Sequence, residues 1–168
     1  MNEIRSFEPL IGRGPKVLIL GSMPGVASLD VRQYYAHPRN VFWPIMSALF
    51  DIDWPEHYGA RVEQFRRLPL ALWDVLQTCA RRGSLDAAIE RDSIRLNDIA
   101  GLLDEHPGIR LIAFNGRTAE QLFRRHQLKA LTQERPDTIV LPSTSPAHAA
   151  KTFEQKLDEW RRILAYLN

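Results

Sequence analysis

The chain has 168 residues, 45% of them apolar and 25% charged, with a formal net charge of +2. That is the composition of an ordinary globular protein, long enough for one domain over residues 1–168 with its own core, and the charge is too small to point to a partner. No run of about 18 apolar residues exists to make a membrane span, and Cys79, the sole cysteine, excludes an internal disulfide and argues against an iron–sulfur cluster.

The first ten residues, MNEIRSFEPL, lack the basic-then-apolar layout of a secretory signal, so a cytoplasmic protein is expected. The apolar run at residues 17–20 reads as a strand buried on both faces, because it is continuous rather than alternating. Similar runs follow at 70–75, 111–114 and 138–141. Apolar residues at spacings of three and four predict helices over 41–49, 94–103, 118–126 and 153–167, with Pro107-Gly108 beyond the second as a stop. Residues 51–58, aromatic and broken by Pro55, read as a loop. Strand and helix alternate, which predicts an α/β fold: three layers, α/β/α, around a four-stranded parallel sheet with right-handed crossovers. Four arginine doublets, at 66–67, 81–82, 124–125 and 161–162, read as solvated faces.

Ligands of open α/β sheets bind outside the carboxyl ends of the strands, so the segments after each strand hold the candidates. After the first strand comes Gly21-Ser22-Met23-Pro24-Gly25. Its glycines let backbone amides approach a ligand, or simply make a tight turn. It has neither the lysine of a P-loop nor the spacing of a dinucleotide fingerprint. Tyr34, Tyr35, His37, Arg39 and Asn40 then crowd before a helix; the rings could stack a base, and Asn40 could serve a ligand or cap the helix. Asp74 ends the second strand and could accept from a ligand N–H or cap backbone amides. Asn115-Gly116 follows the third strand, as ligand reader or turn. After the fourth, Ser143, Thr144 and Ser145 present three hydroxyls, with Pro146, Ala147 and His148 beyond; the plain alternative is a hydroxyl-stabilised turn. Five scattered histidines with no pair four apart predict no metal site, no G-x-S-x-G elbow is present, Cys79 reads as a structural thiol, and no cofactor is expected.

Three segments, GSMPG at 21–25, HPRNVFW at 37–43 and LPSTSP at 141–146, together resemble the uracil-DNA glycosylase superfamily, in matching order over roughly residues 15–160. The first is similar to its water-activating loop, the second to the HPxNxFW segment of mismatch-specific members, the third to its minor-groove loop. Met23 stands where mismatch-specific members carry Asn, and a thioether cannot polarise water. Leu141 stands where many members have His or Asn, and Asp74 where uracil-specific members put a base-reading Asn. The combination most resembles the hypoxanthine-DNA glycosylase branch.

The resemblance implies a DNA repair glycosylase that hydrolyses the N-glycosidic bond of a flipped deaminated base, hypoxanthine first, and leaves an abasic site. Asn40 takes the catalytic role there, orienting water towards C1′. Gly21, Ser22, Met23, Pro24, Tyr35, Asp74 and Asn115 form the base-binding set, with Tyr35 as the stacking ring. Ser143, Thr144 and Ser145 contact the phosphate flanking the flipped nucleotide, Pro146 and His148 press into the minor groove, and Lys151 sits near phosphate. An ionised Asp74 would repel a departing base anion, so it is either protonated or holds the pocket's backbone without meeting the base; the second role is the one expected. The implied enzyme is a monofunctional monomer acting on double-stranded DNA that contains a deaminated base, with no membrane and no iron–sulfur cluster. Two rivals remain open: the same scaffold acting on uracil, and a non-catalytic damaged-DNA-binding domain.

Overall fold

The computed structural model describes residues 3–127 and 136–168. Its elements in chain order are β1 (Glu3–Arg5), β2 (Leu10–Ile11), β3 (Val17–Gly21), α1 (Val26–Val31), α2 (Phe42–Phe50), α3 (Tyr58–Phe65), β4 (Leu70–Asp74), β5 (Leu76–Ala80), β6 (Arg95–Leu96), α4 (Ile99–Glu105), β7 (Leu111–Asn115), α5 (Arg117–His126), β8 (Asp137–Leu141) and α6 (Phe153–Trp160), the last running on as a 3-10 turn over Arg161–Tyr166.

The main sheet has five strands in the order β2-β4-β3-β7-β8. The four runs legible in the sequence, β4, β3, β7 and β8, pair in parallel, and β2 adds an antiparallel edge against β4. The expected four-stranded parallel sheet is therefore corrected to a mixed sheet. A second, antiparallel sheet, β1-β5-β6, branches from it. The apolar run at 70–75 hides that branch point: β4 ends at Asp74 and the chain changes sheet at Val75. Asn97 pins the change, its Nδ2 donating to the carbonyls of Asp74 (2.8 Å) and Leu76 (3.1 Å). The helix expected over 94–103 begins later, because Asp98 caps it by accepting from the Gly101 N–H (2.9 Å), while residues 95–96 form an edge strand. Helices α1 and α3 carry no clear apolar period in the sequence and emerge only here.

Alternate residues of the parallel strands feed two cores. Val17, Ile19, Leu70, Leu72, Leu111 and Ala113 pack with Phe42, Trp43, Ile45, Met46, Leu157 and Trp160 from α2 and α6. Leu18, Leu20, Ala71, Ile112 and Phe114 face the other way, onto Ile99, Leu102, Ala119 and Phe123 from α4 and α5 and onto Cys79 of the small sheet. This places helices on both faces, as the continuous strands require. Each fully buried large side chain contributes about 1.5–3 kcal/mol relative to exposure. No described helix is long and apolar enough to cross a membrane.

Candidate active site

The four parallel strands end side by side, and their register decides what shares the rim. Gly21 pairs with Asp74, and Asn115 with Leu141. Above these ends lies a cavity of about 320 Å³, within the range of small-molecule sites. Gly21, Ser22, Met23, Pro24, Tyr35, Asn40, Asp74, Asn115, Ser143, Thr144, Ser145, Pro146 and His148 all contribute to its wall. Lys151 does not; its ammonium pairs with Glu159.

Gly21 has no side chain for a spatial reason. A Cβ there would stand 2.5 Å from Asp74 Oδ1 and 3.1 Å from the Tyr35 hydroxyl. Asp74 is 3% exposed, and its Oδ2 is buried with no hydrogen-bond partner. Among the described residues no backbone N–H donates to this carboxyl group, so the expected amide-holding role is not what the structure contains. Burial first, then the Asp86 carboxylate, push its pKa up to about 7; Arg81 acts the other way.

Tyr35 adopts a left-handed backbone (φ 54°), which costs a non-glycine residue on the order of 1–3 kcal/mol. The turn lays its ring on Phe42, with centroids 4.3 Å apart and planes at 29°. One face is thus already occupied, and the hydroxyl reaches the cavity floor, buried and unpartnered. Burial, followed by the charge of Asp74, keeps this phenol protonated far above neutrality, although Asn115 pulls the other way.

Asn40 stands just before Val41, the cap residue of α2. Its Oδ1 accepts from the Phe42 N–H at 3.0 Å, securing the first turn of α2, while the residue stays half-buried in the cavity wall. Phe42 and Trp43 anchor that turn in the core, and Trp43 Nε1 donates to the Tyr34 carbonyl (2.9 Å). The Val41 N–H donates to the Thr144 carbonyl (3.0 Å), which ties this segment to the last loop.

Asn115 holds that loop. Its Nδ2 donates to Thr144 Oγ1 (3.0 Å) and its Oδ1 accepts from the Thr144 N–H (2.9 Å), leaving one amide proton for a ligand. Thr144 is only 1% exposed, so its hydroxyl braces the loop and does not reach a phosphate, unlike the expectation. Ser143 and Ser145 accept from the N–H groups of Ser145 and Ala147 (both 3.2 Å), which is the turn alternative. Each keeps its own O–H proton free to donate. His148 presents an Nε2 that is buried and unpartnered.

The sequence reading missed a clamp behind the glycine loop. Arg81, taken for half of a solvated doublet, is 6% exposed; its Nη2 donates to the Pro24 carbonyl (2.6 Å) and its Nε to the Gly83 carbonyl (2.8 Å). Ser22 Oγ donates to Asp86 (2.8 Å), and the Val26 N–H donates to Ser84 Oγ (2.9 Å). Only the continuation of a buried strand from Cys79 and Ala80 hinted that Arg81 points inward.

The Uracil DNA glycosylase superfamily model matches residues 9–168. The chain belongs to the uracil-DNA glycosylase superfamily. Two curated relatives are named hypoxanthine DNA glycosylase. The protein from Methanosarcina barkeri is 36% identical over 153 residues, covering 90% of this chain and 92% of its own. The one from Methanosarcina acetivorans is 31% identical over 163 residues, covering 96% and 98%. A solution NMR structure of a candidate uracil DNA glycosylase from Methanosarcina acetivorans superposes with a TM-score of 0.78 at 30% identity over 99% of both chains.

Proposed function

We infer that this superfamily member, over residues 1–168, is a DNA glycosylase that hydrolyses the N-glycosidic bond of a flipped deaminated base, with hypoxanthine as its principal substrate. The observation that carries the reading is the cavity at the strand ends, closed by a polar floor and flanked by Asn40. The activity for which the two Methanosarcina relatives are named agrees with it.

Extruding a nucleotide costs a few kcal/mol, least at a damaged or mismatched pair, which already favours lesions. The free hydroxyl protons of Ser143 and Ser145 suit the phosphates beside the flipped residue, and the Lys151–Glu159 pair is exposed enough to exchange for a phosphate at little cost. Pro146 and His148 would occupy the minor groove. Asn40, fixed by its bond to Phe42, retains a lone pair and two amide protons with which to orient a water at C1′. An amide works here by positioning rather than by basicity. Met23, 7% exposed and packed in the core, gives the glycine loop an apolar backing and no proton acceptor. No lysine lines the cavity among the described residues, which supports water rather than an amine as the nucleophile of a monofunctional enzyme.

The structural neighbour described as a candidate uracil DNA glycosylase favours a second reading, in which uracil is the preferred base. Oligonucleotide duplexes carrying deoxyinosine, deoxyuridine or deoxyxanthosine, assayed for abasic product, separate the two. Release is expected to be fastest from deoxyinosine. Fastest release from deoxyuridine selects the second reading, and tight binding without abasic product removes both.

A further inference from the structure

The floor of the cavity contains two polar groups with nothing to bind. Among the described residues, Asp74 Oδ2 and the Tyr35 hydroxyl are both buried without a hydrogen-bond partner. The other carboxyl oxygen, Asp74 Oδ1, and the Tyr35 hydroxyl both border Gly21, whose missing Cβ leaves room beside them. Each such group costs about 1–3 kcal/mol unless something satisfies it. A ligand with a complementary edge would remove that cost.

The surroundings decide which edge. A buried carboxylate persists when paired, and neutralises itself when it is not. Among the described residues Asp74 has neither a hydrogen bond nor an ion pair. Arg81 is the cation that acts on it, but its Nε and Nη2 donate to the Gly83 and Pro24 carbonyls and its Nη1 makes no hydrogen bond among the described residues. Asp86, from the 3-10 turn Asp86–Ala88, adds a second carboxylate that disfavours charge on Asp74. Tyr34, whose hydroxyl donates to the Glu8 carbonyl (2.9 Å), and Tyr35 are the phenols that feel the Asp74 charge, and both are held neutral by burial. Below about pH 7 Asp74 is thus mainly a carboxylic acid with a proton to give, beside a phenol that also keeps its proton.

We propose, resting on the glycosylase reading above, that protonated Asp74 and Tyr35 form a two-donor floor that reads the O6/N7 edge of hypoxanthine, and that Asp74 gives its proton to that base as the glycosidic bond breaks. Two adjacent acceptors mark the major-groove edge of a 6-oxopurine, whereas adenine offers an acceptor beside an amino donor. Adenine therefore meets donor against donor and is refused. Uracil has a single carbonyl acceptor on its corresponding edge and satisfies only one of the two groups. The same arrangement removes the repulsion that an ionised Asp74 would exert on a departing anion.

The step balances without a further reactant. The Asp74 O–H bond breaks and an N7–H bond forms, while the C1′–N9 electron pair leaves with the purine. Hypoxanthine departs neutral, and the sugar is left as an oxocarbenium ion. Water adds to C1′ and loses a proton to solvent, and solvent reprotonates Asp74.

The test is single-turnover base release from a deoxyinosine duplex, for the wild type and Asp74→Asn, measured on both sides of pH 7. Binding of a non-cleavable 2′-fluoro-deoxyinosine duplex is measured in parallel. The wild-type rate is expected to fall as pH rises through the neutral region. Asp74→Asn should bind the non-cleavable duplex, release base roughly 100-fold more slowly or worse at acidic pH, and lose the neutral inflection. A 7-deaza-deoxyinosine duplex, which lacks N7, should be poor for the wild type and no poorer for the variant. A wild-type rate that rises with pH, a variant that keeps the inflection, or independent additive losses from Asp74→Asn and 7-deaza substitution overturns the proposal. A variant that no longer binds the non-cleavable duplex makes Asp74 structural and overturns it as well. No release from deoxyinosine by the wild type at any pH is a different result: it removes the glycosylase reading itself.

Discussion

Replacing Asn115 with Ala removes the one side chain that holds the loop at 142–148 to the end of β7. Two hydrogen bonds disappear, Nδ2 to Thr144 Oγ1 and the Thr144 N–H to Oδ1. Thr144 is 1% exposed, so water cannot replace the lost partners without the loop opening. Each orphaned group costs about 1–3 kcal/mol; because both sit on one residue and relax together, the expected loss is about 2–4 kcal/mol. For a chain of this length that lowers Tm by roughly 5–15 °C. Urea unfolding is the assay, read as a lower midpoint at unchanged slope. Since Thr144 also accepts from the Val41 N–H, the Asn40 segment should loosen and base release should fall along with stability. Asn115→Asp, which keeps the acceptor for the Thr144 N–H and loses the donor, should cost less. A midpoint for Asn115→Ala within about 0.5 kcal/mol of wild type would refute the bracing role and leave Asn115 free to serve a ligand alone.

Gly21→Ala drives a methyl group against Asp74 Oδ1 and the Tyr35 hydroxyl, a contact at 2.5 and 3.1 Å that forces the floor to shift. Overpacking of this kind costs about 1–3 kcal/mol, and base release should suffer more than the thermal midpoint, measured by single-turnover kinetics and calorimetry. The charges around Asp74 give a prediction with a definite sign. Asp86 raises the Asp74 pKa, so Asp86→Asn should move the neutral break in the rate profile to lower pH; Arg81 lowers it, so Arg81→Met should move the break to higher pH. Shifts in the opposite senses, or none, would detach that break from Asp74.

The parallel strands were legible because burial on both faces writes itself as an unbroken apolar run, as in Val17–Gly21. Strand β2 was not, since two residues carry no period, and the second sheet was hidden because Val75 and Leu76 continue the run of β4 without a break. The rim of the site was readable for a topological reason: residues that follow parallel strands converge in space whatever separates them in the chain. The clamp of Arg81 and Asp86 was not. Its hydrogen bonds to Pro24 and Ser22 bridge 57 and 64 positions, and only the buried strand running up to Ala80 sets Arg81 apart from the exposed Arg82 beside it. The amide-holding role expected of Asp74 is absent because composition cannot reveal whether a buried carboxyl group finds a donor, and among the described residues its Oδ2 finds none.

The most direct measurement is base release from a deoxyinosine duplex by Asn40→Ala, compared with its binding to the non-cleavable duplex. The side chain holds the first turn of α2 through one part-buried hydrogen bond and lines the cavity, so folding and binding should persist with a small loss of stability. Release should fall roughly 100-fold or more, because a water no longer held on line with C1′ loses its positional advantage. Wild-type rates of release from Asn40→Ala would contradict the account, since the water would then be oriented by something other than this amide.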